Sequence, residues 1–356
     1  MANSFQYTTI EEQIKKLKSQ HLLIENEKFA KAALQTYGYY NIINGYRDPF
    51  IIRDYNEKTY SPNVTFEEIY ALFKFDHNVR AAVLLAMLDL EEHIKAAVAE
   101  IIAEDFGSDY HTYLHRNNYR DRKVSDPRFS RNKILAGMKK TAECSYTQPI
   151  RYYRETHGVI PPWILLKGVY FGTLVNYIKF FKSKQRNKLI RAIYGDDISD
   201  EELPFYKDML SDTLFTCLEY RNLAAHEGRI YNHVLKSTIR AFNAEGIRAG
   251  LPQLVSALSG IKYQQPFVII EEALSDSLNE YCGAYPDDVL RLEKTLGFEI
   301  ETERYVWVNE RSRKYHNVAH CSGSNNCKKV SFEKIKNCDY VPCKKCCISS
   351  EEKRKP

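Results

Sequence analysis

Through most of the first 300 residues, apolar side chains recur at spacings of three and four, the signature of amphipathic helices. The longest run opens at Thr65-Phe66-Glu67-Glu68, a capping-box sequence. It carries Ile69, Leu72, Phe73, Val79, Val83, Met87, Leu90, Ile94, Val98 and Ile101 to about Glu104, and Gly107 follows. Two shorter helices are predicted before it. One begins at Thr8-Thr9-Ile10-Glu11-Glu12 and uses Ile14, Leu17 and Leu22 or Leu23; the other covers residues 27–37 and is stopped by Gly38. Residues 107–160 are polar and rich in Tyr, Arg and Asn, and read as a loop-rich insertion around a helix at about 130–142. Pro161-Pro162-Trp163 starts a further helix whose run continues to Leu174, with Gly168 and Gly172 placed for close packing. A basic amphipathic stretch at 179–191 comes next, by default a solvated face and secondarily an RNA contact. Helices are then expected at 201–225, near 231–245, at 274–281 and from Pro286 to Leu296-Gly297. No strand-like alternation interrupts this region, so the expected fold class is all-α, a helical bundle. The period changes to two at Tyr305-Val306-Trp307-Val308, which reads as a strand. The expected division is an N-terminal helical region at 1–64, a main helical domain at 65–298 and a small module with short strands at 299–356.

Composition narrows the function classes. A chain of 356 residues with 44% hydrophobic and 13% aromatic residues buries a full core and is not a disordered polymer. The apolar run 79–103 is broken by Asp89, Glu91, Glu92, Lys95 and Glu100, which excludes an ordinary membrane span, and residues 1–7 lack a basic-then-apolar leader. A cytoplasmic protein without a membrane partner is the expectation. The formal charge of +5 is unevenly placed: residues 301–356 hold 13 Lys/Arg against 7 Asp/Glu, while residues 1–300 are close to neutral. That basic tail, Lys344 and Lys345 included, suits a polyanion partner. Cys144, Cys217 and Cys282 are scattered, whereas the other six of nine cysteines lie between Cys321 and Cys347. In a chain without a secretory leader such a cluster points to metal before disulfides.

One stretch combines groups suited to RNA chemistry: Leu218-Glu219-Tyr220-Arg221-Asn222-Leu223-Ala224-Ala225-His226-Glu227-Gly228-Arg229-Ile230-Tyr231-Asn232. Cutting RNA without a metal requires moving protons at the 2′-hydroxyl and the leaving oxygen, and stabilising charge on phosphorus. An imidazole titrates near pH 6.5, and a guanidinium fork matches phosphate oxygens. Asn222 and His226, four apart, share a helix face, while Arg221 lies well round from His226. The bland reading is a pair of cations at a helix C-terminus, where positive charge is favoured.

This segment resembles the Arg-(polar)-x3-His motif of the HEPN superfamily of RNases. It is most similar to the Abi-like (AbiD/AbiF-type) abortive-infection proteins, whose motif reads roughly RN-x-x-AHHGRLWN against RNLAAHEGRIYN here. Glu227 replaces the family's second histidine and Tyr231 its tryptophan, which places an anion beside the candidate phosphate site. Other segments resemble the same family: Gly38-Tyr39-Tyr40 to Gly45-Tyr46, Phe75-Asp76-His77-Asn78-Val79-Arg80, the Glu91/Lys95 pair, the Pro-Trp and Phe-Gly-Thr-Leu element, and Leu296-Gly297-Phe298, so the likeness spans about residues 7–298. It implies a HEPN-like bundle and a metal-independent endoribonuclease toxin of phage defence. In such a homodimer two Arg221–His226 motifs would complete one site. His226 would be the acid/base, Arg221 would stabilise the phosphorane and Asn222 would orient His226 or the phosphate. A small noncoding RNA or other antitoxin would restrain the enzyme. Arg229, Arg80 and Lys95 are candidate RNA contacts; the ordinary alternative for Glu91 and Lys95 is a surface ion pair.

In the tail, His316-x4-Cys321 and Cys343-x2-Cys346 supply four zinc-type ligands in two pairs, with His320, Cys327 and Cys347 as substitutes. Some fifty residues bury too little apolar surface to fold without such a staple. The pattern resembles an accessory module related to the zinc domain of the Ada DNA-repair protein. Two other functions fit the sequence: a non-catalytic RNA-binding protein, and a dimeric scaffold with a DNA- or partner-sensing tail.

Overall fold

The computed structural model describes residues 7–53, 58–236, 238–300, 305–316, 327–335, 338–344 and 347. By packing, the chain divides into two units, residues 1–79 with 273–356, and residues 80–272.

The first unit begins with α1 (Ile10–Ser19) and α2 (Glu27–Tyr37). Thr9 and Glu12 form a reciprocal capping box on α1, and Asn26 caps α2, which ends at Gly38 with φ +81°. A hairpin of β1 (Ile51–Arg53) and β2 (Lys58–Tyr60) follows, a feature that the expectation of an all-helical N-terminal region did not include. Then α3 (Phe66–Phe106) starts where Thr65 accepts the Glu68 amide, and its residues beyond Val79 belong to the second unit. Rings of Phe29, Tyr37, Phe66, Tyr70 and Phe73 pack edge to face or tilted, and Tyr46 donates to the buried Asp76 at 2.6 Å. Tyr46, Phe66 and Phe73 are therefore core, whereas Phe29 and Tyr40 stay exposed.

Also in this unit, the tail forms a four-stranded sheet in the order β5-β3-β4-β6, with β3 at Tyr305–Asn309, β4 at Lys314–His316, β5 at Lys328–Ser331 and β6 at Val341–Pro342. Only β4 and β6 run parallel. Its core is small, Val306, Val308 and Ile335, as a module of this length dictates.

The second unit is helical. The described elements include α4 (Arg131–Cys144), α5 (Phe171–Ile178), α6 (Ser183–Tyr194), α7 (Leu203–Ala225) and α8 (Leu251–Ser259), with α9 (Gln265–Ala284) running on into the first unit. Central α7 packs against α5, α6 and α8. Its buried face includes Leu210, Leu214, Cys217 and Tyr220, and burial pushes the Cys217 thiol up to about 12.

The helix expected from Pro161 through Leu174 is broken: a turn at Pro162–Leu165 tightens at Leu166–Gly168, Val169 is extended, and α5 starts afresh. Gly168 explains the close approach there, since a Cβ would meet Ile150 Cδ1 at 2.4 Å. The helix expected at 231–245 shrinks to Arg240–Ala244, because Ile230, Tyr231 and Leu235 are buried in irregular chain. Among the described residues, no helix is long and apolar enough to cross a membrane.

Candidate functional site

The Arg–His stretch lies at the C-terminus of α7. Ala225 is the last helical residue, His226 is the cap, and its amide donates to the Asn222 carbonyl at 3.1 Å. Glu227 takes the left-handed conformation with φ +58°, and the Gly228 amide turns back to the Leu223 carbonyl at 2.8 Å. Glycine is required at 228 by space: a Cβ would lie 2.1 Å from Leu223 Cδ1. The turn leaves Asn222, His226, Glu227 and Arg229 exposed, with Arg221 half-buried. Buried Ile230 and Tyr231 then anchor the outgoing chain.

Helix α3 supports this turn from one side. Arg80 and Glu91 are eleven residues apart, three helical turns, and so share a stripe. Arg80 Nη1 donates to the Glu227 carbonyl at 3.2 Å. Glu91 reaches the motif's other end, its Oε2 4.0 Å from Arg221 Nε, while its Oε1 accepts an ion pair from Lys95 at 2.7 Å. The motif therefore runs antiparallel to α3. The Glu91 carboxylate is only one-tenth exposed, and Arg221 Nε and Glu91 Oε2 are both buried without a hydrogen bond. Arg221 thus approaches its anion without closing on it, and its other contact, Nη1 to Asn222 Oδ1, is long at 3.4 Å. A guanidinium left so loosely held can still turn to an incoming phosphate.

Of the residues singled out by sequence, Arg221, Asn222, His226, Arg80 and Lys95 thus gather around one helix end. Arg80 serves the turn and Lys95 serves Glu91. Exposed Lys344 belongs to the tail module, and Lys345 lies outside the described residues. A clip beside the motif went unread in the sequence: His233 Nε2 lies 2.8 Å from Glu219 Oε1, and the Lys236 amide donates to the same carboxylate at 3.1 Å. Tyr220 meets the His233 ring edge-on at 5.5 Å. The available signal was Glu219, which falls on the helix face of Asn222 and His226 at spacings of three and seven.

In the tail, His316 ends β4 and Cys343 follows β6. The parallel register Lys314↔Val341, Tyr315↔Pro342, carried one residue further, sets His316 beside Cys343. Both are buried, and the Cys343 amide donates to the Tyr315 carbonyl at 2.9 Å. Burial, with the Lys314 charge adding, holds the His316 imidazole below its ordinary value. Cys347 is also near, its amide on the Cys343 carbonyl at 2.9 Å. Cys321, Cys346 and His320 lie outside the described residues. An imidazole at the end of β4 and a thiol just past β6, set side by side, fit half of a tetrahedral zinc shell.

Fold and site together define an α-helical protein that presents a cation, an amide and an imidazole at one exposed helix end. The chain belongs to the Abi-like protein family, whose profile matches residues 32–232 and so ends on the last residue of the Arg–His stretch. That span is shorter than the likeness expected from the motifs over residues 7–298. Membership associates the chain with abortive-infection phage defence. Searches of curated proteins and of solved structures gave no match.

Proposed function

We propose that the chain is a metal-independent endoribonuclease toxin of the HEPN type, acting in abortive infection. The observation that carries this reading is the end of α7, where exposed Asn222 and His226 share a face and Arg221 is held near them by a buried carboxylate it does not fully engage. The reaction needs little else. One imidazole takes the proton of the 2′-hydroxyl, whose oxygen attacks phosphorus. The bond from phosphorus to the 5′-oxygen breaks, and that oxygen gains a proton from a second acid. The products are a 2′,3′-cyclic phosphate and a 5′-hydroxyl. Arg221 meets the charge on the crowded phosphorus. The second imidazole comes from another copy of the chain in a homodimer. Leu85 and Leu88, exposed together on α3, offer that copy an apolar patch to cover. A small noncoding RNA or protein antitoxin restrains the enzyme.

The tail holds a structural zinc through His316, Cys343 and two further cysteines, Cys321 and Cys346 by spacing. Bound there, zinc would staple a module whose own core is too small. Metal analysis is expected to give one zinc per chain, falling well below one in Cys343→Ala; an unchanged content would remove this assignment.

The test incubates wild type, Arg221→Ala and His226→Ala, stripped of co-purifying RNA, with total RNA in EDTA, and maps the new termini. Cyclic phosphates from wild type alone are expected. No cleavage by stripped wild type would leave a non-catalytic RNA-binding protein as the better reading.

A further inference from the structure

We infer that Arg120, Arg122, Lys179, Lys182 and Arg186 form a second anion-binding surface, which holds the phosphodiester backbone of single-stranded RNA and leads it along α7 toward Asn222 and His226. The inference rests on the proposed reading only in taking RNA as the ligand; the surface itself is argued from its charges.

Among the described residues, none of these five cations lies within ion-pairing distance of a carboxylate, and the nearest acids are already engaged. Asp121 pairs with Arg131 at 3.2 Å, Asp200 with Arg191 at 2.7 Å, and Asp105 and Glu104 with Lys184 and Lys188. Neutral groups hold four of them in place instead, and Arg122 is exposed beside them. Arg120 Nε donates to the Lys179 carbonyl at 2.9 Å, Lys182 Nζ to the Asn117 carbonyl at 2.6 Å and Arg186 Nη2 to Ser183 Oγ at 3.2 Å. Lys179 Nζ donates to Asn176 Oδ1 at 3.0 Å and sits 4.1 Å from the centre of the Phe215 ring. Arg186 Nε is buried with no partner.

Such a cluster is unfavourable by itself. Burial pushes Arg120 below its usual value, and repulsion from Arg186 and Arg122 pushes it further; Lys179 is lowered by burial and then by Arg122. Fixed, partly desolvated cations with no counter-charge are what a phosphate chain repays. Beside Arg186 an open cleft of about 430 Å³ is lined by Ser183, Asn187 and Lys207, and by Asp200, already bound to Arg191.

The link to the motif is geometric. Phe215, Glu219, Asn222 and His226 are spaced four, three and four apart and so form one stripe of α7. Lys179, over Phe215, therefore lies on the face of Asn222 and His226, about 10 Å and about 16 Å along the axis from them. Glu219 interrupts the stripe, but its carboxylate is taken up by His233 and the Lys236 amide.

The test uses the full-length chain carrying His226→Ala, to prevent cutting, and a fluorescent twelve-nucleotide single-stranded RNA whose binding is read by anisotropy over a salt series. Adding Arg122→Ala and Arg186→Gln is expected to weaken binding at least tenfold and to flatten the salt slope by about 1.4, roughly 0.7 for each lost phosphate contact. The melting temperature is expected to change little, because loss of the Arg186 bond to Ser183 Oγ is offset by relief of repulsion within the cluster. Unchanged affinity and slope overturn the inference, as does a parent chain that binds no RNA. The two readings fail separately. Cluster-dependent binding by a wild type that never cuts leaves this inference standing without the nuclease. Cutting and binding both indifferent to the two substitutions leave the nuclease standing without this surface.

Discussion

Helix α6 and the Lys182 that precedes it carry two kinds of cation within two turns. Lys184 and Lys188 converge on the end of α3, where Asp105 accepts both at 2.7 and 2.9 Å together with the Gln185 amide at 2.8 Å. Lys182 and Arg186 turn to the other side and, among the described residues, find a backbone carbonyl and a hydroxyl. The first pair closes a charge-balanced joint between helices; the second leaves positive charge fixed and unspent. All four are cations and three of them are lysines, so the role of each is decided by what lies opposite it. Arg221 stands between the cases, near Glu91 at 4.0 Å yet not bonded to it.

The sharpest break between fixed and available cations is expected at the motif. Arg221→Ala and His226→Ala should each lower cleavage by about 10²-fold or more while RNA affinity changes less than about threefold. The α6 cluster should show the reverse, so single-turnover rates and binding isotherms on the same proteins separate chemistry from capture.

The paired side of α6 should report in stability instead. Burial alone would push Asp105 up, but hydrogen bonds from Lys184, Lys188 and Gln185 outweigh it and bring the carboxyl down to about 2. Its folded value thus lies below its unfolded value near 3.8, so its stabilisation is full above that value and is lost as pH falls toward about 2. Allowing for the exposure of Lys184, Asp105→Asn should remove about 1–2 kcal/mol at neutral pH and flatten the acid limb of urea-unfolding midpoints between about pH 4 and 2. A limb as steep as in wild type would assign acid sensitivity elsewhere.

The smallest effects concern the turn that presents His226. Glu227 is a non-glycine residue at φ +58°, so Glu227→Gly should relieve about 1 kcal/mol and raise the melting temperature by a few degrees. Gly228→Ala, driven into Leu223, should lower stability by about 1–3 kcal/mol. Thermal melts of both variants check that opposite pair of signs.

Much of the local architecture was legible from neighbouring residues. Thr9 with Glu12, Asn26 with Phe29 and Thr65 with Glu68 mark helix starts, because each cap is completed within a few positions of chain. Gly38, Gly107 and Gly297 mark stops for the same reason, each adopting a positive φ. The Arg221-Asn222-x3-His226 pattern was equally local, and its place at a helix end followed from the glycine beyond it. The break at Val169 was not legible, since Gly168 needs a side chain eighteen residues earlier to explain it.

What the sequence determined by itself is the all-helical character of most of the chain, the boundaries of α3 and α7 though not of α9, which starts nine residues before the expected 274, its family, and the three side chains that bear the candidate chemistry. These rest on periodicity, caps and short motifs, which act over a few residues. Tertiary structure alone decided which charges are satisfied. Arg80 meets a carbonyl 147 positions away, Lys188 meets an aspartate 83 positions away, and Lys182 and Arg186 meet no carboxylate among the described residues. Ion pairing depends on distance through space, and no spacing along the chain encodes which helix will arrive opposite.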